Sequence, residues 1–354
     1  MAKPPKISVA IPVFNEGSVL PELYRRVANV LADAPGGPHE IVFVDDGSTD
    51  GSKELLDVIA QLDPRVTIVA LSRNFGHQAA LTAGLDHATG DVVVVMDGDL
   101  QDTPETIPRF LAEYARGYDV VYAVRRDRKE SWPMRLCYAA FYRLIASLAD
   151  IDLPLGAGDF ALLSRRVVDH LRQSQERHRY LRGLRTWVGF KQKGIAVRRA
   201  ARHSGQPKYT VRKLLQLALD GIFSFSTAPL RAAAVIGSAS IAGSLLFACY
   251  TLYAKLFLDR APAGFTALAL AITFFAGVQL LFLGIIGEYV GRVYEEVKRR
   301  PHYIIDRVVT GRDGGDLFGI TPGADTIGKI IDAGLPIEAL RGWPERLEPV
   351  SSRQ

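Results

Sequence analysis

From Lys6 to about Val124, short apolar runs alternate with stretches of helical periodicity. Ile7–Val13, Glu40–Asp45, Val66–Leu71, Val92–Met96 and Asp119–Ala123 read as strands. Between them Ser18–Ala32, Gly51–Leu62, Gln78–His87 and Glu105–Tyr114 read as helices. This alternation builds βαβ units around a parallel sheet. The run Val92-Val93-Val94-Val95-Met96 has no polar break, as expected of a strand covered on both faces.

The pattern then changes. Trp132–Leu148 interleaves Trp132, Tyr138, Phe141 and Tyr142 with Arg135 and Arg143, and reads either as a buried helix or as one lying in a membrane interface. Val211–Phe225 poses the same choice, and its position before a long apolar run favours the interface. Ala232–Ala254 and Ala263–Gly287 carry no charge. Each would make a helix of roughly 35 Å, enough to cross hydrocarbon. The stretch Lys255–Pro262 is expected to be the turn of a two-span hairpin. Arg212, Lys213 and Arg231 precede the pair, and Arg292, Lys298, Arg299 and Arg300 follow it. Positive flanks of this kind place both ends in the cytoplasm.

The expected organisation is a domain over 1–210, an interfacial helix or linker over 211–230, the hairpin over 231–290 and a cytosolic tail over 291–354. No signal-peptide stretch precedes the first strand, so the N-terminal domain reads as cytosolic. No chemistry is read in the segment after Asp306.

Composition sharpens this picture in two respects. The mean hydropathy of +0.09 is high for a chain with 23% charged residues, so apolar residues must be concentrated. A formal charge of +5 suits an anionic partner: nucleic acid, a phosphorylated substrate or a membrane surface. The two cysteines, Cys137 and Cys249, lie far apart and outside any metal-binding spacing, so neither a disulfide nor a zinc site is expected.

Candidate chemistry lies at the strand ends. In an open parallel sheet, ligands bind at the carboxyl edge. The fourth strand ends in Asp97-Gly98-Asp99-Leu100-Gln101-Asp102, an oxygen-rich cluster suited to a hard divalent cation that also grips phosphates. The first ends in Pro12-Val13-Phe14-Asn15-Glu16, where Pro12 and Phe14 offer apolar surface to a flat base and Glu16 an acceptor. The second ends in Asp45-Asp46-Gly47-Ser48, and the third in Ser72-Arg73-Asn74-Phe75-Gly76. Singly, Asp-Asp-Gly-Ser is more often a turn; together, the four ends point to one ligand crevice.

Val13-Phe14-Asn15-Glu16, Asp45-Asp46-Gly47-Ser48, Asn74-Phe75-Gly76 and Asp97-Gly98-Asp99-Leu100-Gln101 resemble the family 2 glycosyltransferases, whose fold is GT-A. Tyr122-Ala123-Val124-Arg125-Arg126, Gly158-Asp159-Phe160, Arg182-Gly183-Leu184, Trp187-Val188-Gly189-Phe190 and Phe223-Ser224-Phe225-Ser226 narrow the likeness to the polyprenyl-phosphate glycosyltransferases. These include the GtrB-type undecaprenyl-phosphate glucosyltransferases and the dolichol-phosphate mannose synthases.

The resemblance implies a GT-A catalytic domain with a membrane hairpin, Mg²⁺ or Mn²⁺ as cofactor, and a homo-oligomer, with a tetramer suggested. It implies an enzyme that moves a sugar from a nucleotide-sugar to a polyprenyl phosphate at the cytoplasmic membrane face, with nucleic acid excluded as a partner. UDP-glucose and undecaprenyl phosphate are favoured, and GDP-mannose is the alternative. Nucleotide-sugar contacts fall to Pro12, Phe14, Glu16, Asp45, Asp46, Asn74, Asp97, Gly98, Arg202 and Lys208. The metal falls to Asp99 and Gln101, the acceptor phosphate to Arg125, Arg126 and Arg128, and the catalytic roles to Asp97, Asp99 and Asp159.

Asp159 is the family's candidate base. A phosphate monoester is already largely dianionic at neutral pH, so Asp159 could instead orient an arginine. Gly98 stands where relatives usually carry Ala, a change expected to be harmless; His77, Ala161 and Pro207 also depart from the family pattern. A non-catalytic, membrane-anchored nucleotide-sugar-binding scaffold is the reading from another class, and the intact Asp97, Asp99 and Gln101 argue against it. A nucleotidyltransferase would need a Gly-rich phosphate loop where Pro12–Glu16 stands. A processive synthase would need Gln-x-x-Arg-Trp.

Overall fold

The computed structural model describes residues 3–125, 157–174, 176–177, 179–197, 228–258 and 264–311. Chain order is β1 (Ile7–Val13), α1 (Leu20–Asp33), β2 (Glu40–Asp45), α2 (Ser52–Leu62), β3 (Val66–Leu71), α3 (His77–His87) and β4 (Val92–Val95). A 3₁₀ turn (Pro104–Thr106) leads into α4 (Ile107–Ala115), then β5 (Val120–Arg125), β6 (Ala157–Ser164), α5 (Arg165–Gln173), α6 (Leu181–Trp187) and β7 (Gln192–Val197). Two long helices follow, α7 (Ala228–Leu258) and α8 (Phe265–Val297), and then β8 (Ile305–Thr310).

The strands form one 8-stranded sheet in the order β7-β5-β6-β4-β1-β2-β3-β8. Pairs β1/β2, β1/β4, β2/β3 and β5/β7 are parallel, whereas β6 runs antiparallel to both neighbours and β8 antiparallel to β3. The central strands are buried on both faces because their side chains alternate between two cores. Ile7, Val9, Ile11 and Val13 of β1, with Val92 and Val94 of β4, pack with residues of α1, α2 and α4. Ala10, Val93 and Val95 face the other way, against Leu81 and Leu85 of α3, Val167 and Leu171 of α5 and Leu184 of α6. Each fully buried Val or Leu contributes roughly 1.5–3 kcal/mol. Arg172 joins α5 to α3 by donating to the Leu85, Asp86 and Ala88 carbonyls at the end of α3.

The expected elements through β5 form close to their anticipated bounds, with the α4 segment opening as a 3₁₀ turn at Pro104. The segment after Asp306 differs from expectation. Read as a tail, it instead supplies β8 from its first residues, which extends the sheet beyond β3; residues 312–354 lie outside the described residues. The Ser72 N–H donates to the Ile304 carbonyl at 2.9 Å, and the Tyr303 hydroxyl to Asp86 at 2.7 Å. Strand-forming Val308 and Val309 find partners some 240 residues away in the chain, a pairing that local pattern cannot reveal.

The helices α7 and α8 belong to a second compact unit. Their apolar side chains face outward around the helix, among them Ile241, Leu245, Phe257, Leu268, Phe274, Leu280 and Val293. A long helix apolar on all sides suits hydrocarbon. Among the described residues, one stretch, Phe274–Val297, is long and apolar enough to cross a membrane; α7 carries a shorter apolar stretch, Ala232–Phe247. The expected turn over Lys255–Pro262 starts later, since α7 runs to Leu258. Cys249 is free and exposed on α7. Cys137, the Trp132–Leu148 segment and Val211–Phe225 lie outside the described residues.

Candidate active site

The carboxyl ends of β1, β2, β3 and β4 share one edge because these strands are parallel. β6 is antiparallel, so its beginning, with Asp159, lies at the same edge. Three loops there are laced together by short polar side chains. Asn15 adopts φ 57° and accepts the Thr49 N–H at 2.8 Å, while its own N–H donates to Ser48 Oγ at 3.1 Å. The Glu16 and Gly17 N–H groups donate to Ser52 Oγ and Asp50 at 3.2 and 3.0 Å. Asp45, buried at the end of β2, accepts the Ser48 N–H at 3.0 Å.

Asp46 closes the next junction. One oxygen accepts the Phe75 N–H at 2.7 Å and the other the Gly76 N–H at 3.0 Å. Burial raises its pKa, and these two hydrogen bonds act in the opposite direction. Its carboxylate therefore holds the loop that presents Asn74. Gly47 lets the two loops meet: it has φ 73°, and a Cβ there would lie 2.7 Å from the Asn74 nitrogen.

Along this edge Phe14 and Asn74 are exposed, Glu16 is half-buried and Pro12 is buried within β1. Asp97 and Asp99 are half-buried, Gln101 and Gly98 buried. Asp99 accepts the Gln101 N–H at 3.1 Å, and Leu100 between them takes φ 57°. Gly98 is less replaceable than expected: a Cβ would come 2.9 Å from the Pro12 carbonyl oxygen of β1. Arg125 ends β5; Arg126, Arg128, Arg202 and Lys208 lie outside the described residues.

The structure also brings together residues that motif reading left out of the site. Arg182, the second residue of α6, donates from Nε and Nη2 to the two oxygens of Asp159 at 2.7 and 2.6 Å. His77, the first residue of α3, has Nε2 3.4 Å from Asp97 and 3.7 Å from Asp159. The Leu181 N–H donates to Gln78 Oε1 at 3.0 Å, tying the start of α6 to the start of α3. One turn on, Arg185 is only 4% exposed; it donates to the Gly158 carbonyl at 3.2 Å and stacks over Tyr122.

Charge is redistributed accordingly. Burial opposes ionisation of Asp159, yet Arg182 and His77 outweigh it and hold the carboxyl well below the usual carboxylate range. Burial alone would lower His77, but its contact with Asp159 and the charge of Asp97 raise it. Asp97 is raised, by burial first and then by repulsion from Asp159 and Asp99. Burial lowers Arg185 to about 10. His77, Asp97 and Asp159 place one potential metal-ligand atom each within 4.8 Å of the others. The signal for His77 and Arg182 was present in Asn-Phe-Gly-His and Arg-Gly-Leu, but their convergence on Asp159 depends on where α3 and α6 begin.

A mostly parallel sheet with an acidic strand-end cluster agrees with a glycosyltransferase of GT-A fold, the class that the family match shows. The chain belongs to glycosyl transferase family 2, whose description matches residues 8–172. It is 43% identical to the uncharacterized glycosyltransferase YkcC of Bacillus subtilis, over 87% of this chain and 95% of that one. It is 39% identical to the bactoprenol glucosyl transferase of Shigella phage SfII, over 85% and 98% of the two chains. Among solved structures, a mannosyltransferase from Pyrobaculum calidifontis in complex with GDP-Man and Mn²⁺ is 19% identical, with a TM-score of 0.44, covering 84% of this chain and 87% of its own.

Proposed function

We propose that this enzyme transfers a hexose from a nucleotide-sugar to a polyprenyl phosphate at the cytoplasmic face of a membrane, with glucose, UDP and undecaprenyl phosphate favoured. The observation carrying this reading is the union, in one chain, of the acidic edge around Asp97 and Asp99 with the outward-facing apolar helix Phe274–Val297. The likeness to a bactoprenol glucosyl transferase supports the acceptor class. It runs over 303 residues, too many to fit inside 8–172, and so extends beyond the catalytic domain. Lys298, Arg299 and Arg300 after the span support a cytoplasmic carboxyl end, as does the return of β8 to the catalytic sheet.

Phe14 would face the base, with Glu16, Asp45 and Asn74 around it, while Pro12, buried in β1, serves with Asp46 and Gly98 to shape the strand end and loops rather than to meet the base as expected; Asp97 would face the ribose and phosphates. A divalent cation fits Asp99 and Gln101. The donors are oxygens suited to Mg²⁺ or Mn²⁺, and neighbouring Asp97 has a buried Oδ1 that makes no hydrogen bond, with His77 Nε2 3.4 Å away. When bound, such an ion neutralises charge on the leaving nucleoside diphosphate. Arg202 and Lys208 would add positive charge there, and Arg125, Arg126 and Arg128 would meet the acceptor phosphate.

The reaction is a single displacement. A bond forms between an acceptor phosphate oxygen and the anomeric carbon, the bond to the donor's β-phosphate breaks, and the nucleoside diphosphate departs with the electron pair. An α-linked donor thus gives a β-linked lipid phosphate sugar. The acceptor's second pKa is ~6, so no base has to remove a proton at neutral pH.

Membranes carrying the chain are to be incubated with labelled nucleotide-sugars and short polyprenyl phosphates. The expected result is a lipid-soluble, β-linked product from UDP-glucose that disappears in Asp99→Ala. A product with retained configuration, or donor binding without transfer to any polyprenyl phosphate, would overturn the reading.

A further inference from the structure

We propose that Arg182, held by Asp159, and His77 form the receptor for the acceptor's phosphate monoester, so that Asp159 positions this receptor and removes no proton. This deepens the polyprenyl-phosphate reading and rests on it.

Three observations point this way. Both oxygens of Asp159 are engaged by Arg182 in a two-pronged pair at 2.7 and 2.6 Å, with His77 3.7 Å from the second oxygen. A general base needs a lone pair within reach of the proton it takes. A carboxylate clasped in this way, and far more acidic than usual, is poorly suited to that task. Asp159 instead does what a carboxylate beneath an arginine does well, which is to fix the plane of the guanidinium.

Arg182 has charge to offer after that pairing. Nε and Nη2 serve Asp159, while Nη1 has no bond to another described residue, and the side chain is 31% exposed. His77 is 44% exposed at the start of α3, and the two neighbouring carboxylates favour its cationic form. Two cations partly open to solvent at the carboxyl edge match a dianionic phosphate. They match a metal ion less well, because an ion at His77, Asp97 and Asp159 would sit against the guanidinium and require a neutral imidazole.

The third observation is Arg185. It is buried three residues beyond Arg182, and its Nε and Nη2 have no hydrogen-bond partner. It lines, with Asp159 and Arg182, a cavity of about 20 Å³. Arg182, Arg185 and a cationic His77 thus stand against two carboxylates, Asp159 and Asp97, which leaves one positive charge in excess. β5 and β6 are neighbours at this edge, with Val124 opposite Ala157, so Arg125 ends its strand beside the strand that carries Asp159. Arg125 would thus add its charge to the receptor.

The test uses the full chain in detergent micelles, with UDP-glucose and a short-chain polyprenyl phosphate, comparing Asp159→Asn, Arg182→Lys, Arg182→Ala, His77→Gln and the double variant Asp159→Asn/Arg182→Ala. A positioning role predicts an acceptor KM raised about tenfold or more in each single variant, with kcat within about tenfold and donor KM unchanged. Arg182→Lys should lose less than Arg182→Ala, and the double variant should be no worse than the poorer single one. Inorganic phosphate should compete with the acceptor in the wild type and more weakly in Arg182→Ala.

A base instead predicts that Asp159→Asn lowers kcat by about 10²–10⁴ with acceptor KM unchanged, while Arg182→Lys is nearly silent. That result would overturn the proposal, as would undiminished phosphate competition in Arg182→Ala. Unchanged thermal unfolding and donor KM separate these effects from misfolding. Wild-type transfer to an acceptor other than a phosphate would defeat the functional reading itself, an outcome visible before any variant is made.

Discussion

Arg182 takes both oxygens of the Asp159 carboxylate, Nε at 2.7 Å from Oδ1 and Nη2 at 2.6 Å from Oδ2. The pair joins the first residues of β6 to the first turn of α6, two elements brought to one edge only by the antiparallel insertion of β6. Comparable ties hold the rest of the site, and several make measurable predictions.

Asp46→Ala removes the acceptor for two backbone donors, Phe75 N–H and Gly76 N–H. Leaving such groups unpaired costs about 1–3 kcal/mol. The variant should unfold at a lower temperature and show a raised donor KM, because the loop bearing Asn74 loses its anchor. An unchanged donor KM together with an unchanged melting temperature would refute this account of Asp46.

Gly98→Ala puts a methyl group 2.9 Å from the Pro12 carbonyl oxygen. The strand-end loop or β1 must shift, at a cost of about 1–3 kcal/mol as in other overpacked sites. Weaker donor binding, read from equilibrium titration with UDP, is the expected outcome. Binding equal to the wild type would mean that the loop absorbs the methyl group without moving its ligands.

Glu40 gives a pH prediction away from the site. Burial raises its pKa, but hydrogen bonds from Ser8 Oγ and from the Thr89 N–H and hydroxyl, with the charge of Lys6, bring it below the ordinary value. The unfolded chain therefore binds this proton first as pH falls. The stabilisation is complete above the ordinary Glu range of ~4.3 and is lost as pH drops through the lower folded value. Melting temperatures measured between about pH 6 and 3 should fall less steeply for Glu40→Gln than for the wild type. Parallel curves would contradict the assignment.

Tyr303→Phe deletes the hydroxyl that donates to Asp86 at 2.7 Å, the tie between the segment leading into β8 and the end of α3. The loss should be about 1 kcal/mol, a fall of roughly 2–4 °C in melting temperature. Asp86→Asn should destabilise as well, and the double variant should fall short of the sum of the two. Strict additivity would show that the two groups act independently.

Much of this molecule is legible in its sequence, and the boundary has a physical cause. The strands β1 to β5 announce themselves because each is a short apolar run flanked by helical periodicity, and burial on both faces demands that composition. The polar strand ends were legible because a parallel sheet gathers its carboxyl ends on one edge. β6, with Gly-Asp-Phe-Ala-Leu-Leu, stood out only as a motif; its place between β4 and β5 is a matter of distant pairing. β8 reads as tail in the sequence, since its 6 residues of modest apolarity do not disclose their partner. Gly98 reads as interchangeable with Ala in the sequence, but the Pro12 carbonyl of β1 lies 2.9 Å from where its Cβ would stand.

The sequence by itself determined the class of sheet, the acidic edge, the apolar helices and the family, because these depend on periodicity and on residue types at local spacing. Only the tertiary structure decided that Asp46 serves a loop, that β8 completes the catalytic sheet, and that Asp159 is clasped by Arg182 beside His77. Those outcomes depend on distances between residues far apart in the chain, which close packing fixes to within an ångström and local sequence does not encode.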